Sequence, residues 1–293
     1  MGTSANISIV IPAKNEAGAL VKFLPELVTA YPSAEIIVVN DGSTDETSDI
    51  CSNSGVIEIH HPYSKGNGAS IKSGARAATG DVIVFMDGDG QHRVNDIARL
   101  LERLNQGFDM VVGARDSKSQ ASLGRLAANR LYNQLGTWMV GHTIEDLTSG
   151  FRAVKAVMFR QFLSMLPNGF SYPTTITMAF FRAGYSVSYL PIQADKRVGK
   201  SHINLLKDGV RFLLIIFKIG TLYSPLKLFT PISLMFFLSG VSYYLYTFIF
   251  YSRFTNMSAL LLSTSVLIFL MGLISEQITS LMYLSRGGVR RSD

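Results

Sequence analysis

The C-terminal third holds two long apolar stretches, Leu228–Tyr251 and Ala259–Leu284, and they constrain the fold more than any other feature. Each exceeds the roughly 20 residues that a helix needs to cross a bilayer, and Glu276 is the one charge in the pair. A short turn, Ser252–Ser258, separates them and carries only Arg253. Lys207, Arg211, Lys218 and Lys227 precede the pair, while Arg286, Arg290 and Arg291 follow it. Basic residues stay on the cytoplasmic side, so both ends are expected in the cytoplasm with the turn outside. The alternative, a buried helical hairpin in a soluble protein, fits these lengths less well.

Charge is distributed to match. Of 27 Lys and Arg against 21 Asp and Glu, residues 201–293 hold eight and three, and so supply most of the net +6. Basicity concentrated in an apolar tail suits anionic lipid and argues against a nucleic-acid surface. Ile203–Thr221 reads as a helix lying on the membrane. Lys207, Arg211 and Lys218 fall within about 40° of one another at 100° per residue, and Phe212, Leu213, Ile216 and Phe217 line much of the remainder. An ordinary core helix with a solvated stripe is the other reading. A lone cysteine, Cys51, excludes an internal disulfide. No apolar leader precedes the first strand-like run, so the N-terminus is expected in the cytoplasm. Glu276 is costly inside a bilayer, and is expected to hydrogen-bond across helices or to a second subunit.

The first two-thirds is of a different kind. Ile7–Ile11, Glu35–Asn40, Val82–Met86 and Asp109–Gly113 are strand-like runs rich in Val and Ile. Between them lie amphipathic stretches near Ala17–Tyr31, Asp45–Ser54, Asn67–Thr79 and Val94–Asn105. This alternation predicts an α/β domain with a mainly parallel sheet, helices on both faces, and ligands at the carboxyl ends of the strands. The expected division is 1–202 for that domain, 203–227 for the interfacial helix and linker, and 228–293 for the membrane hairpin.

Polar clusters follow the strands where ligands are expected. Asp87-Gly88-Asp89 comes directly after an apolar run, with Gln91 and His92 beyond it. Paired carboxylates there can hold a hard divalent cation, with Gly88 letting the backbone turn; an isolated Asp-Gly-Asp is otherwise an ordinary turn. Asp41-Gly42-Ser43-Thr44-Asp45 follows the second strand. Ser43 or Thr44 can cap the next helix, and Asp41 can accept from a base or ribose. Pro12-Ala13-Lys14-Asn15-Glu16 poses the same choice between cap and nucleotide contact. Lys65-Gly66-Asn67-Gly68 opens a helix and suits close approach to a ligand, although it lacks the Walker spacing.

Taken in order, these motifs resemble the family 2 glycosyltransferases of GT-A fold, and among them the dolichyl or polyprenyl phosphate mannose and glucose synthases. The resemblance adds Gly113-Ala114-Arg115, Asp146-Leu147-Thr148-Ser149-Gly150-Phe151-Arg152, and Arg197 with Gly199-Lys200-Ser201. Two departures stand out: Asn40 where an Asp is usual, with an expected effect on base recognition, and Arg93 where Pro is usual.

The resemblance implies a Rossmann-like GT-A domain, then the interfacial helix and a two-helix transmembrane hairpin. Its implied chemistry is inverting transfer of a hexose from a nucleotide sugar, GDP-mannose or UDP-glucose, to polyprenyl phosphate. Asp87, Asp89 and Gln91 would hold Mg2+ or Mn2+ against the diphosphate. Pro12, Asn15, Glu16 and Asp41 would hold the nucleoside. Arg115, Arg125, Arg197 and Lys200 would meet the phosphates of donor and acceptor, guanidinium forks suiting their oxygens, and Lys65, Arg152 and Ser201 would also contact substrate. Asp89, Asp146 and Arg115 are the expected catalytic groups, Asp146 either orienting sugar and acceptor or pairing Arg152. The implied partners are the nucleotide sugar, the polyprenyl phosphate and the bilayer, with self-association through the hairpin. The implied location is the cell membrane, multi-pass, with the catalytic domain and both termini cytoplasmic. Rival readings are a membrane glycosyltransferase with a hydroxyl acceptor, a catalytically silent membrane adaptor, and a nucleotidyltransferase.

Overall fold

The computed structural model describes residues 6–115, 123–169, 171–193, 217 and 220–284, without the side chains of 123–129 and 283–284. Most of the expected 203–221 helix lies outside these residues, as do Arg197, Lys200, Ser201 and the Arg125 side chain. The chain forms two compact units that divide after residue 202.

The first unit runs β1 (Ile7–Ala13), α1 (Ala17–Ala30), β2 (Glu35–Asn40), α2 (Thr47–Asn53), β3 (Ile57–His60), α3 (Asn67–Ala77), β4 (Val82–Phe85) and α4 (Asn95–Asn105). It continues through β5 (Met110–Arg115), α5 (Leu123–Val140), β6 (Arg152–Lys155), α6 (Ala156–Arg160), α7 (Tyr172–Arg182) and β7 (Val187–Ile192). The seven strands form one sheet in the order β3-β2-β1-β4-β6-β5-β7. Only β6 runs antiparallel to its neighbours.

The central strands are buried on both faces, which is why β1, β2 and β4 read as unbroken apolar runs rather than as alternating ones. One face packs Ile9, Ile11, Val38, Val84 and Val111 against Leu20, Phe23, Leu24 and Leu27 of α1 and Ile97, Leu100 and Leu104 of α4. Three strands escape sequence reading. β3 is short and half-exposed, β7 alternates weakly, and β6 opens on a buried arginine. The reversal of β6 has a positional consequence. Its register pairs Arg152 with Phe85 and Val112, so the segment 146–151 leading into it arrives at the carboxyl ends of β4 and β5.

The second unit is a hairpin of α8 (Pro225–Tyr251) and α9 (Asn256–Leu284). Each helix starts three residues before the apolar stretch that predicts it. Pro225 stands at the first helical position, where a missing N–H costs nothing, so Lys227 lies inside α8 rather than in a linker. Both helices are long and apolar enough to cross a membrane, and only 17% of the apolar window of each is buried. A core helix of a soluble protein would be mostly covered. Small and polar residues line the seam, as in membrane helix pairs. Gly240 lies against Leu261 and Leu262, Gly272 against Phe229, and the Ser233 hydroxyl donates to the Ser265 carbonyl at 2.9 Å. Glu276 accepts from the Leu226 amide at 3.4 Å, so its carboxylate serves the open first turn of α8 across the hairpin.

The seam geometry is testable by cross-linking. The hydroxyl oxygens of Ser233 and Ser265 are 3.3 Å apart, so Ser233→Cys with Ser265→Cys is expected to form an intrachain disulfide on mild oxidation. Adding Gly272→Ile, which forces α9 away from Phe229, is expected to abolish it, as read by thiol-specific mass tagging.

Candidate active site

A cleft of about 620 Å3 opens at the carboxyl ends of the strands. Its walls are Pro12 to Lys14 and Glu16 after β1, Asp41 after β2, and Ser64, Gly66, Asn67 and Ser70 around the start of α3. Asp87 to Asp89 after β4, with Thr148, Gly150 and Pro173, complete it.

On the β1–β2 side, several residues expected to touch nucleotide hold the loops instead. Asn15, at φ 54°, receives the Thr44 amide on Oδ1 at 2.8 Å and gives its own amide to the Ser43 hydroxyl, clamping two loops together. Asp45 takes the Ala17 amide at the start of α1 and the Thr47 amide and hydroxyl at the start of α2, the capping work expected of Ser43 or Thr44. Asn40 is buried and turned away from the cleft, donating to Ser48 and Glu58. That geometry separates it from base recognition.

Asp41 departs furthest from expectation. It is 4% exposed, and its two oxygens receive His61 Nδ1, the Ser64 hydroxyl and the Lys65 and Gly66 amides, all at 2.8–2.9 Å. Four partners occupy most of the carboxylate's capacity, while Asp41 still lines the cleft. Burial pushes Asp41 up, but the His61 bond and the other donors outweigh it and hold its pKa down at about 2. Asp41 therefore organises the 64–66 loop.

The glycines of Lys65-Gly66-Asn67-Gly68 also answer to the protein itself. A Cβ on Gly66 would lie 2.5 Å from the Asn168 carbonyl oxygen, and one on Gly68 would overlap that of Pro167. The Ala69 amide bonds the Asn168 oxygen at 3.1 Å, so residues 167–169 cover the first turn of α3. The close approach is between two backbones. Lys65 stays exposed, its ammonium 5.9 Å from the Tyr63 ring.

At the β4 end, Asp87 and Asp89 both face the cleft. Gly88 is needed for contact rather than for turning: its amide bonds the Pro12 oxygen at 3.3 Å, and a Cβ there would come within 2.9 Å of that oxygen. The positive φ belongs to Gly90, at 72°. Asp87 Oδ2 lies 3.4 Å from His92 Nε2, and that ring stacks on Phe151. Burial raises Asp87, but the His92 bond and the charges of Arg115 and Arg152 prevail, holding it below the ordinary carboxylate range. Gln91 gives its amide to Asp89 and lies outside the cleft wall. Among the described residues no three His, Cys, Asp or Glu side chains converge as a self-sufficient cage. Two carboxylates at one strand end fit a hard divalent cation whose remaining ligands come from a diphosphate.

Beside them Arg115 grips Asp146, Nε to Oδ2 at 2.8 Å and Nη2 to Oδ1 at 3.1 Å, with Nη2 also on the Thr148 hydroxyl at 2.6 Å. Asp146 is 5% exposed; burial raises it, and the Arg115 fork overrides that to hold it ionised. Its partner is thus Arg115 and not Arg152. Arg152, expected to contact substrate, is wholly buried. Its guanidinium donates to the carbonyls of Ser149 and Pro173 and to the Thr177 hydroxyl, out of reach of substrate.

Residues 8–163 match the glycosyl transferase family 2 profile, and residues 224–281 match the GtrB C-terminal hairpin. The chain belongs to glycosyl transferase family 2. The dolichyl-phosphate hexose transferase of Haloferax volcanii is 25% identical over 209 residues, 71% of this chain and 90% of that protein. The polyprenol monophosphomannose synthase of Mycolicibacterium smegmatis is 28% identical over 204 residues, 64% and 77% of the two chains. The crystal structure of glucosyl-3-phosphoglycerate synthase from Mycobacterium tuberculosis, bound to Mn2+, UDP and glucosyl-3-phosphoglycerate, aligns with a TM-score of 0.59 at 19% identity, over 74% of this chain and 80% of that one. It shares the fold, which is GT-A-like, and the hairpin match supports membrane association.

Within this family 2 enzyme, sequence reasoning missed the residues that do the holding. His61, Ser64 and Thr148 complete the Asp41 and Asp146 clusters, and Tyr172 donates to the Gly150 carbonyl at 3.2 Å. Asn133 of α5 receives the Leu147 amide at 3.0 Å and donates to the Glu145 carbonyl, seating the Asp146 turn. Thr148 lies two residues from Asp146, inside the motif itself, whereas His61, Ser64, Tyr172 and Asn133 carry no local spacing signal because their partners are 12 or more residues away.

Two measurements test this wiring. Asp41→Asn is expected to lower stability at pH 7 by on the order of 2 kcal/mol. A carboxylate depressed in the fold stabilises above its unfolded pKa, so the deficit should shrink as pH falls from about 4 towards 2 in chemical denaturation. Gly68→Ala is expected to cost about 1–3 kcal/mol through overpacking. Gly18→Ala, with open space around it, should leave the melting temperature unchanged or higher.

Proposed function

We propose that this protein transfers a hexose, with inversion, from a nucleotide sugar to a polyprenyl phosphate at the cytoplasmic face of a membrane. The observation that carries the proposal is the state of Asp146, bound twice to Arg115 and kept ionised. A hydroxyl acceptor needs a base to take its proton, and a carboxylate tied to a guanidinium with a depressed pKa is a poor one. A phosphate monoester brings its own anionic oxygen, its second pKa being about 6. It therefore needs cations and orientation rather than a base. The relatives named for dolichyl-phosphate and polyprenol-phosphate chemistry support the same acceptor.

In this reading Asp87 and Asp89, with Gln91 behind them, hold Mg2+ or Mn2+ against the donor diphosphate. The ion supplies charge neutralisation on the departing nucleoside diphosphate. Pro12 and Glu16 bound the nucleoside end of the cleft, and the Asp41-ordered loop shapes its wall. Arg115, its pKa raised by Asp146 against the opposing effect of burial, stays cationic beside the diphosphate. Lys65, Arg125, Arg197, Lys200 and Ser201 are assigned to the phosphates of donor and acceptor. An acceptor phosphate oxygen attacks the anomeric carbon as the bond to the diphosphate oxygen breaks, and the nucleoside diphosphate leaves with the electron pair. One displacement gives a β-linked product from an α-linked donor. The basic residues flanking the hairpin favour a cytoplasmic catalytic unit with both termini on the same side.

The test uses the purified full chain in detergent with Mn2+ and a short polyprenyl phosphate, offering GDP-mannose, UDP-glucose and UDP-N-acetylglucosamine separately. The expected outcome is a lipid product heavier by one sugar with one donor, lost on chelation and reduced roughly 100-fold or more in Asp89→Ala. Release of inorganic pyrophosphate, or sugar transfer only to a hydroxyl lipid, would overturn it.

A further inference from the structure

A buried arginine without a directly bound carboxylate is costly and calls for a reason. Arg152 is 0% exposed. Burial lowers its pKa, opposed first by Tyr172 and Tyr189 and then by Asp146 and Asp87. Its fork binds carbonyls, on Ser149 from one side and Pro173 from the other. The next residue, Gly150, is pinned in turn by the Tyr172 hydroxyl on its carbonyl. The 149–150 backbone thereby lies flush against Asp87: a Cβ on Gly150 would stand 2.7 Å from Oδ2 and 2.9 Å from Oδ1. With His92 on Oδ2, the carboxylate is walled in except towards the cleft.

We propose that Arg152 and Gly150 are positioning residues for the divalent-cation site, a buried cation clamping the 149–150 backbone against Asp87 so that its carboxylate is preset to receive the ion. This rests on the metal reading above. It replaces the substrate contact expected of Arg152 with a role exerted from behind the site. A single cationic fork ties the Ser149 turn to the start of α7 without occupying a ligand position. Residues that orient a metal ligand commonly alter affinity by roughly 10–100-fold when changed.

The test measures Mn2+ binding to the full chain in detergent by the electron paramagnetic resonance of free Mn2+, alone and with UDP or GDP. Nucleotide affinity without metal and the melting temperature are recorded alongside. Arg152→Met and Gly150→Ala are each expected to weaken Mn2+ binding roughly 10–100-fold, with metal-free nucleotide affinity unchanged in Arg152→Met. Arg152→Lys keeps the charge but not the two-carbonyl fork, and should recover part of the loss. Should Arg152→Met not fold, Gly150→Ala, which leaves the arginine in place, decides the matter. Unaltered Mn2+ affinity in the folded variants, with wild type binding normally, overturns this proposal alone. Absence of Mn2+ binding in wild type with both nucleotides overturns the metal reading and this proposal together.

Discussion

The active cleft depends on the pairing of β6, reversed, between β4 and β5. A parallel strand there would deliver its leading loop to the opposite edge of the sheet. Running antiparallel, β6 brings 146–151 to the carboxyl ends, where Asp87 and Arg115 stand. From that one ladder follow the Arg115–Asp146 fork, the contact of Gly150 with Asp87 and the burial of Arg152 beneath them. An otherwise parallel α/β sheet carries its ligands at one edge, and the reversed strand adds a second source of residues to that edge.

The cleft separates residues that face substrate from residues that hold its walls. Asp41, Asn15, Asn40 and Asp45 lie at strand ends where ligand contacts are expected, yet their hydrogen-bonding capacity is largely taken by the protein. They tie the β1, β2 and β3 loops into one rigid wall. Such wiring preorganises the cleft wall, which lowers the ordering cost of any ligand that binds there. Asp87 and Asp89 differ in keeping an open side towards the cleft. The same residue type at a strand end is thus either enclosed by the protein or left facing the cleft.

The hairpin follows a different physics. Its outward faces are apolar, its seam is small and polar, and its one carboxylate is satisfied by a helix terminus. In lipid there is no hydrophobic drive to bring helices together, so close approach at Gly240 and Gly272 and the Ser233–Ser265 bond must do it.

Much of this was legible in the sequence because it rests on local pattern. Apolar runs marked β1, β2, β4 and β5, amphipathic periods marked α1, α3 and α4, and length alone marked the hairpin. Ordered motifs marked the cleft and the family. Which oxygens are free was beyond it. Asp41 and Asp87 look alike as residues after a strand, and only folding brings His61, Ser64 and two amides onto one and an open cleft before the other. Gly68 reads as a ligand loop until residues 167–169 close over it. Arg152 reads as a substrate contact until the reversed strand buries it. Strand and helix are set by neighbours a few residues apart, whereas hydrogen-bond satisfaction is set by partners some 20 to 100 residues away, and only the tertiary structure brings those together.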